Sequence, residues 1–401
     1  MSESSELTEQ TVDGRYVNAS YAALGLRPVV NAAATLTRLG GSLMAPPVLP
    51  AMAEAARHFV DIVELHRRVG HRLAELTRNE AAYVTSGAAA GLTLAVTACV
   101  AGEPPRPPGD GAGSVPAAVE DLPYLDKTGE RTVILYGSQR NGYDYAVRQV
   151  GVRIVEIGPE PSELAAAIDE RTACVLWFAG AHFASGALPV ARVVDIAHQA
   201  GVPVLVDAAA QIPPLSSLWH FTTEIGADAA IFSGGKGLRG PQSTGLMVGR
   251  DWIIAAARAN GSPHHSIGRA MKVGKEELLG LLAAVEWTLG QDEHSMLAVY
   301  EASVRKWVAG LSGLPGVGVE RGYPSEAGQP HGRALVRIGP ASGWDRDALV
   351  AALWALDPSV AVGVIDPDII ALNPQTLQVG EDEFVLEQLR RLLVDRRVDR
   401  T

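Results

Sequence analysis

A lone lysine, Lys236, sits in "FSGGKGLRGPQSTG" (residues 232–245) among five glycines, two serines and a proline, directly after the apolar run Ala229–Phe232. Asp207 closes another apolar run, "VPVLVD", 29 residues earlier. Ser86 and Gly87 separate a third apolar run, "AAYV", from an alanine-rich stretch of helical character. A lysine drawn out of water, near other positive charge, loses basicity and becomes a nucleophile able to form a Schiff base. A carboxylate at a strand end can keep a pyridine nitrogen protonated. A Ser-Gly turn opening a helix offers free N–H groups and the positive end of the helix dipole to a phosphate. Together these match the needs of pyridoxal 5'-phosphate (PLP): an imine lysine, an acid partner for the ring nitrogen and a phosphate cup. The glycines around Lys236 are expected to let the backbone pass close to cofactor and substrate.

Each feature alone has an ordinary explanation. Asp207 could cap a helix, Lys236 could be a solvated loop lysine, and "SGAAAG" could be a small-residue packing surface. Their order is what favours chemistry, and the elements that must position them can be read from the chain. Strand-like runs stand at 81–84, 132–137, 152–158, 173–180, 202–208, 229–235 and 244–249, with helical stretches between several of them. Near-continuous apolar strands alternating with helices predict an α/β fold with a mainly parallel sheet buried on both faces. In such sheets the ligand site lies beyond the carboxyl ends of the strands, where Ser86, Asp207 and Lys236 all fall. From Pro46 to about Thr77 the apolar spacing predicts one long helix, or two with a break near Gly70. Residues 103–130, with "EPPRPPGDGAGSVP", read as a loop long enough to be a lid. After residue 270 the texture predicts a smaller α+β domain. The division expected is an N-terminal arm (1–45), a large α/β domain (46–270) and a small C-terminal domain (271–401), with the first 20 residues a mobile tail.

Composition narrows the function classes. The net charge of −11 speaks against a sequence-independent grip on nucleic acid, which needs clustered Lys and Arg. Cys99 and Cys174 both sit in apolar runs and read as buried thiols. The acidic N-terminus carries no signal-peptide pattern and no apolar run reaches the length of a membrane span, so a cytoplasmic location away from the membrane is expected. His264 and His265 are adjacent, so their side chains diverge, and no metal site is expected.

Several longer segments sharpen the reading. "NAAATLTRLGGS", "YVTSGAAAGL", "GVPVLVDAAAQIPP", "FSGGKGLRGPQSTGLMVGR" and "GRAMKVGKEELLGLL" resemble the SelA-like (selenocysteine-synthase-like) branch of the fold-type-I PLP-dependent enzymes, strongly over residues 27–285 and more weakly to the end. The resemblance implies that Lys236 carries the cofactor as an internal aldimine and Asp207 partners its ring nitrogen. It also implies that Ser86, Gly87, Ala88 and Ser233 hold the phosphate, and that the enzyme is a homodimer or higher homo-oligomer acting on a small-molecule amino-acid substrate. The chain departs from the pattern at "SQRNGYDYAVRQVG", where Gln139 and Tyr145 stand in place of histidines expected in the lyase-type relatives. One of these positions is expected to contact the ring, which puts Gln139 among the cofactor-binding candidates. Losing an imidazole removes the usual acid/base group near neutral pH.

His182, just past a strand end, is a candidate catalytic group, and Arg38, Arg239 and Arg269 are candidates for the substrate carboxylate, because a guanidinium fork matches it bidentately. The expected chemistry starts with a Schiff base to an α-amino acid and a Cα carbanion. The favoured outcome is O2-dependent oxidative decarboxylation to a carboxamide, as in SelA-like proteins of actinomycete nucleoside-antibiotic biosynthesis, with a glycyl-nucleoside-like substrate. The alternatives are β-elimination with ammonia release, and a PLP-fold protein that only binds.

Overall fold

The computed structural model describes residues 20–101, 122–123 and 130–398. The N-terminal stretch to residue 19 and most of the proline- and glycine-rich stretch 103–130 lie outside the described residues.

Seven strands form the central sheet: β2 (Ala81–Thr85), β3 (Thr132–Tyr136), β4 (Arg153–Ile157), β5 (Thr172–Phe178), β6 (Val204–Asp207), β7 (Ala229–Ser233) and β8 (Gly245–Gly249), in the order β2-β8-β7-β6-β5-β3-β4. Every strand run read from sequence is present, within a few residues at its ends. The pairs β3–β4, β3–β5, β5–β6 and β6–β7 are parallel. β8 runs antiparallel to both β7 and β2, so the sheet is mixed, with one reversed strand. The connection from β7 to β8, residues 234–244, is the lysine loop itself, and it folds back so that the two strands run antiparallel.

Alternation along the strands splits two cores. Ile134, Val175, Val204, Val206, Ala230 and Phe232 pack into one cluster. Their neighbours Val133, Cys174, Leu176, Leu205 and Ile231 pack into another, with Met247 of β8. A sheet buried on both faces explains why the strands read as unbroken apolar runs. Cys99 and Cys174 lie in the second core as free, buried thiols.

The region 46–77 forms two helices, Val48–Ala56 and Ile62–Thr77, and the break falls at 57–61 rather than at Gly70. Asp61 makes the new start: its carboxylate accepts from the Val63 and Glu64 N–H groups at 2.9 and 3.0 Å. Gly70 is mid-helix because the helix backbone runs against β2 there, where a Cβ would come within 2.5 Å of the Ala82 carbonyl oxygen.

The chain divides into two compact units. One holds the central sheet and comprises Ala34–Arg305 with Arg321–Ala334. The other comprises the described parts of Met1–Ala33, Lys306–Glu320 and Leu335–Thr401. The linear boundaries at residues 45 and 270 therefore differ from the contact-based ones. The helix Lys275–Leu289 packs on Val48–Ala56 and Ile62–Thr77, within the larger unit. The N-terminal strand β1 (Val29–Ala32) pairs in parallel with β11 (Ser359–Asp366), within the smaller one. A second sheet has the order β1-β11-β12-β10-β9, where β9 is Val317–Gly322, β10 Arg333–Ile338 and β12 Ile369–Leu372. β12 is a strand that sequence reading did not isolate. It forms a hairpin with β11.

Candidate active site

Because β8 is antiparallel to both β2 and β7, those two strands point the same way, and the carboxyl ends of β2, β6 and β7 share one edge of the sheet. Asp207 is the last residue of β6, aligned with Ile231 of β7 and 7% exposed. Among the described residues its one side-chain hydrogen bond comes from the Ala209 N–H, at 3.0 Å. Burial pushes its carboxyl above the usual range, and the nearby Lys236 amine opposes that rise.

Lys236 stands three residues beyond the end of β7, in a loop closed by backbone bonds from Gly240 N–H to the Gly234 carbonyl (2.7 Å) and from Gly234 N–H to the Thr244 carbonyl (2.8 Å). The glycines serve backbone-to-backbone approach. A Cβ on Gly235 would lie 2.4 Å from the Gln242 Cα, and one on Gly237 would lie 2.1 Å from the Ile212 carbonyl oxygen. The loop can thus fold back on itself and press against the segment after Asp207. Burial lowers the Lys236 pKa, while Asp207 and Glu326 partly restore it.

Ser86 and Gly87 connect β2 to the helix Ala88–Ala101. Gly87 has φ +89°, a left-handed conformation that glycine adopts without strain. The Thr85 hydroxyl donates to its carbonyl at 2.9 Å, fixing the turn. The helix has no acidic residue in its first turn, which suits an anion at its unsatisfied amides. Ser233 ends β7, half-buried.

The structure adds a segment that sequence reading missed. Residues 323–333, "YPSEAGQPHGR", return to this edge. The Gln211 amide donates to the Ala179 carbonyl at 3.2 Å and to the Ala327 carbonyl at 2.8 Å. The Gln329 amide donates to the Ala210 carbonyl at 2.9 Å and accepts from the Ala327 N–H at 3.1 Å. This double amide clamp brings in Glu326, whose carboxyl is raised by burial and opposed by Arg333, Lys236 and His182. Arg333 approaches the Glu326 carboxylate at 4.0 Å, with its side chain 19% exposed. The Arg333 Nε is buried and has no hydrogen-bond partner among the described residues. The only sequence signal was a glycine- and proline-rich stretch between two strands, which reads as a linker.

The other candidates fall as follows. His182 is exposed on the short helix Ala181–Ala184, with its Nδ1 3.2 Å from the Glu326 carbonyl oxygen and its ring 3.9 Å from that of Phe183. Gln139 requires a correction. It is fully buried, its Oε1 accepts from the Phe178 N–H at 2.9 Å, and its Nε2 donates to the Phe178 and Phe183 carbonyls at 3.3 and 3.4 Å. The amide braces the end of β5 and has no surface left for a cofactor. Tyr145 is exposed, with Arg148 over its ring. Arg38 and Arg269 are exposed, whereas the Arg239 Nε donates to the Leu43 carbonyl at 3.0 Å and its guanidinium lies over Trp287. A cavity of about 580 Å³ lies at the opposite edge of the sheet, lined by Glu80, His198, Asp228, Arg250 and Trp252 among others. There His198 and Asp228 pair at 2.8 Å and Asp228 also accepts from the Val204 N–H, so these groups are spent structurally.

Residues 144–266 match the family model of the class-V aminotransferases. The chain is 34% identical to the 5'-C-glycyluridine monooxygenase-decarboxylase of Streptomyces sp over 94% of its length and 92% of the relative's. It is 32% identical to the D-glucosaminate-6-phosphate ammonia lyase of Salmonella typhimurium (strain 14028s / SGSC 2262) over 93% and 97% of the two chains. The chain belongs to the selenocysteine-synthase-like branch of the fold-type-I PLP-dependent enzymes. A solved structure of D-glucosaminate-6-phosphate ammonia-lyase superposes with a TM-score of 0.74 at 29% identity, covering 94% of this chain and 98% of the other.

The residues of this selenocysteine-synthase-like enzyme fit PLP. A buried carboxylate and a largely buried amine share the edge, with no ion pair within 4.0 Å between them among the described residues. Two opposite charges held apart in a desolvated site leave each available to a third group.

Proposed function

We propose that this PLP-dependent enzyme catalyses the O2-dependent oxidative decarboxylation of an α-amino acid whose Cα carries a bulky group, of the glycyl-nucleoside type. The net reaction is amino acid plus O2 giving the carboxamide one carbon shorter, CO2 and water. Lys236 anchors the cofactor. Asp207 holds the proton on the ring nitrogen. Ser86, Gly87, Ala88 and Ser233 hold the phosphate through N–H and hydroxyl groups. His182, at the rim, carries protons between site and solvent. When bound, PLP supplies an electron sink for charge developing at Cα.

The observation that carries the choice of reaction is Gln139. Its position is one where a histidine is expected in the lyase-type relatives, and here the side chain is fully buried and bonded to main chain. Tyr145 at the second such position is exposed and carries a phenol in place of an imidazole. Elimination of ammonia leans on a positioned acid/base, and these positions do not supply one. The full-length similarity to a monooxygenase-decarboxylase supports the same choice. The test is oxygen uptake by the holoenzyme with 5'-C-glycyluridine: uptake with equimolar CO2 and carboxamide is expected, whereas ammonia and a keto product without oxygen uptake would establish the elimination reading instead.

A homodimer is proposed as the working form. Leu49, Phe59, Val60 and Val63, on and between the helices Val48–Ala56 and Ile62–Thr77, are exposed apolar side chains that a second copy would cover.

A further inference from the structure

We propose that Glu326 is the general base that readies the incoming amino acid: its carboxylate takes a proton from the substrate's ammonium group and returns it to the Lys236 amine once the substrate nitrogen has taken that amine's place. The inference rests on PLP being bound at Lys236 and is independent of the reaction that follows.

The geometry starts with a tight turn. The Gly328 N–H donates to the Ser325 carbonyl at 2.9 Å, and the Ser325 N–H donates to the Gln329 carbonyl at 3.1 Å. The Gln211 and Gln329 amides fasten this turn to the segment directly after Asp207. The Glu326 carbonyl oxygen lies 3.2 Å from His182 Nδ1. The main chain around Glu326 is thus held, while its carboxylate is left uncommitted. That carboxylate has no hydrogen bond within 3.5 Å among the described residues, and Arg333 stands 4.0 Å away. The charged and titratable groups that face it are Arg333, Lys236 and His182. The side chain is 37% exposed, so a small amine can reach it. Its surroundings still desolvate it enough to raise its carboxyl above the ordinary range, which makes it a stronger base than a solvated carboxylate.

The exchange needs such a group. An amino acid arrives largely as an ammonium, whose nitrogen has no free electron pair. One N–H bond breaks, its electron pair stays on nitrogen, and the proton goes to a carboxylate oxygen of Glu326. The displaced Lys236 amine takes that proton, and Glu326 is a carboxylate again. Protons and charge balance over the cycle. Other groups of the edge are less suited: Gln139 is spent on the main chain of Phe178 and Phe183, and Asp207 is reserved for the ring nitrogen.

The test follows the visible absorbance of the holoenzyme on mixing with two nitrogen nucleophiles. Ethylamine is an ammonium at neutral pH, and O-methylhydroxylamine is not. Glu326→Gln should slow the reaction with ethylamine at pH 7 by on the order of a hundredfold and leave O-methylhydroxylamine unchanged. Glu326→Asp should fall between wild type and Glu326→Gln. The deficit should close as pH rises and ethylamine loses its proton in solution. A second readout uses the cofactor-free protein. Glu326 raises the Lys236 pKa, so Glu326→Gln should let acetic anhydride acetylate Lys236 faster at pH 7, as read by peptide mapping. Equal slowing of both nucleophiles, or a deficit that is the same at every pH, would overturn the base. Unchanged acetylation of Lys236 would overturn the placement of Glu326 beside it. A wild-type protein that stays colourless with PLP would overturn the reading of Lys236, and this inference with it. Oxygen uptake plays no part in these rates, so the choice of reaction stands or fails separately.

Discussion

Asp207 and Lys236 leave neighbouring parallel strands at one buried edge, and they do not pair with each other. An isolated buried charge is costly, so each side chain is destabilising until a third group arrives.

That cost has a pH signature in the cofactor-free protein. Burial raises the Asp207 carboxyl above its ordinary 3.8. Below 3.8 the group is protonated folded or unfolded and costs nothing. As pH rises from there through the raised folded value, the unfolded chain releases its proton first and stability falls. Asp207→Asn should therefore stabilise the cofactor-free protein at neutral pH by about 1 kcal/mol, with the gain shrinking towards pH 3.8. The loaded variant should lose roughly hundredfold or more in kcat, because the ring nitrogen loses its charged partner. Denaturant titrations across pH check the first part and steady-state kinetics the second.

Lys236 has the opposite sign. Burial lowers its pKa below the ordinary 10.5, so its penalty is present at neutral pH and is relieved as pH rises through the folded value towards 10.5. Lys236→Met should melt higher than wild type without cofactor at pH 7, with the gap closing in alkali. Borohydride should no longer fix a chromophore on the peptide.

Gly237→Ala tests the loop. A Cβ would meet the Ile212 carbonyl oxygen at 2.1 Å, and backbone must move to admit it. The expected cost is about 2 kcal/mol of stability, as for overpacking elsewhere. Cofactor affinity should fall too, because the displaced residue is next to Lys236. Equilibrium dialysis with PLP measures this directly, and unchanged affinity would detach the loop geometry from the cofactor.

Gln139→Ala should destabilise by about 2–3 kcal/mol, since it leaves the buried Phe178 N–H and carbonyl without their partner. The cofactor spectrum should be preserved. A spectrum changed at unchanged stability would return position 139 to the ring.

Gln329→Ala should loosen the 323–333 segment by removing the bonds to Ala210 and Ala327. KM for the amino acid should rise several-fold with PLP binding intact, because the clamp positions Glu326 against the edge that holds Lys236.

Much of the site was legible in the order of residues. Ser86-Gly87, Asp207 and Lys236 each follow an apolar run that became a strand of the central sheet, and parallel strands bring their carboxyl ends to one edge. Glycine density around Lys236 was readable as a tight turn. What the glycines approach was not, because Ile212 meets the loop only through the fold. The break between the first two helices was misread at Gly70. A mid-helix glycine and a helix end look alike in sequence, and the neighbouring strand at Ala82 is what makes glycine necessary there.

The sequence by itself determined the strands, their alternation with helices, and the residues at their ends, because apolar periodicity and turn chemistry are local. Only the tertiary structure decided that Glu326 comes to the edge that holds Lys236, and that Gln139 is a brace. Glu326 reaches the edge through hydrogen bonds from Gln211 to Ala327 and from Gln329 to Ala210, partners more than a hundred residues apart in the chain. No local pattern encodes such a pairing, since its energy comes from burying polar groups that only the folded chain brings together.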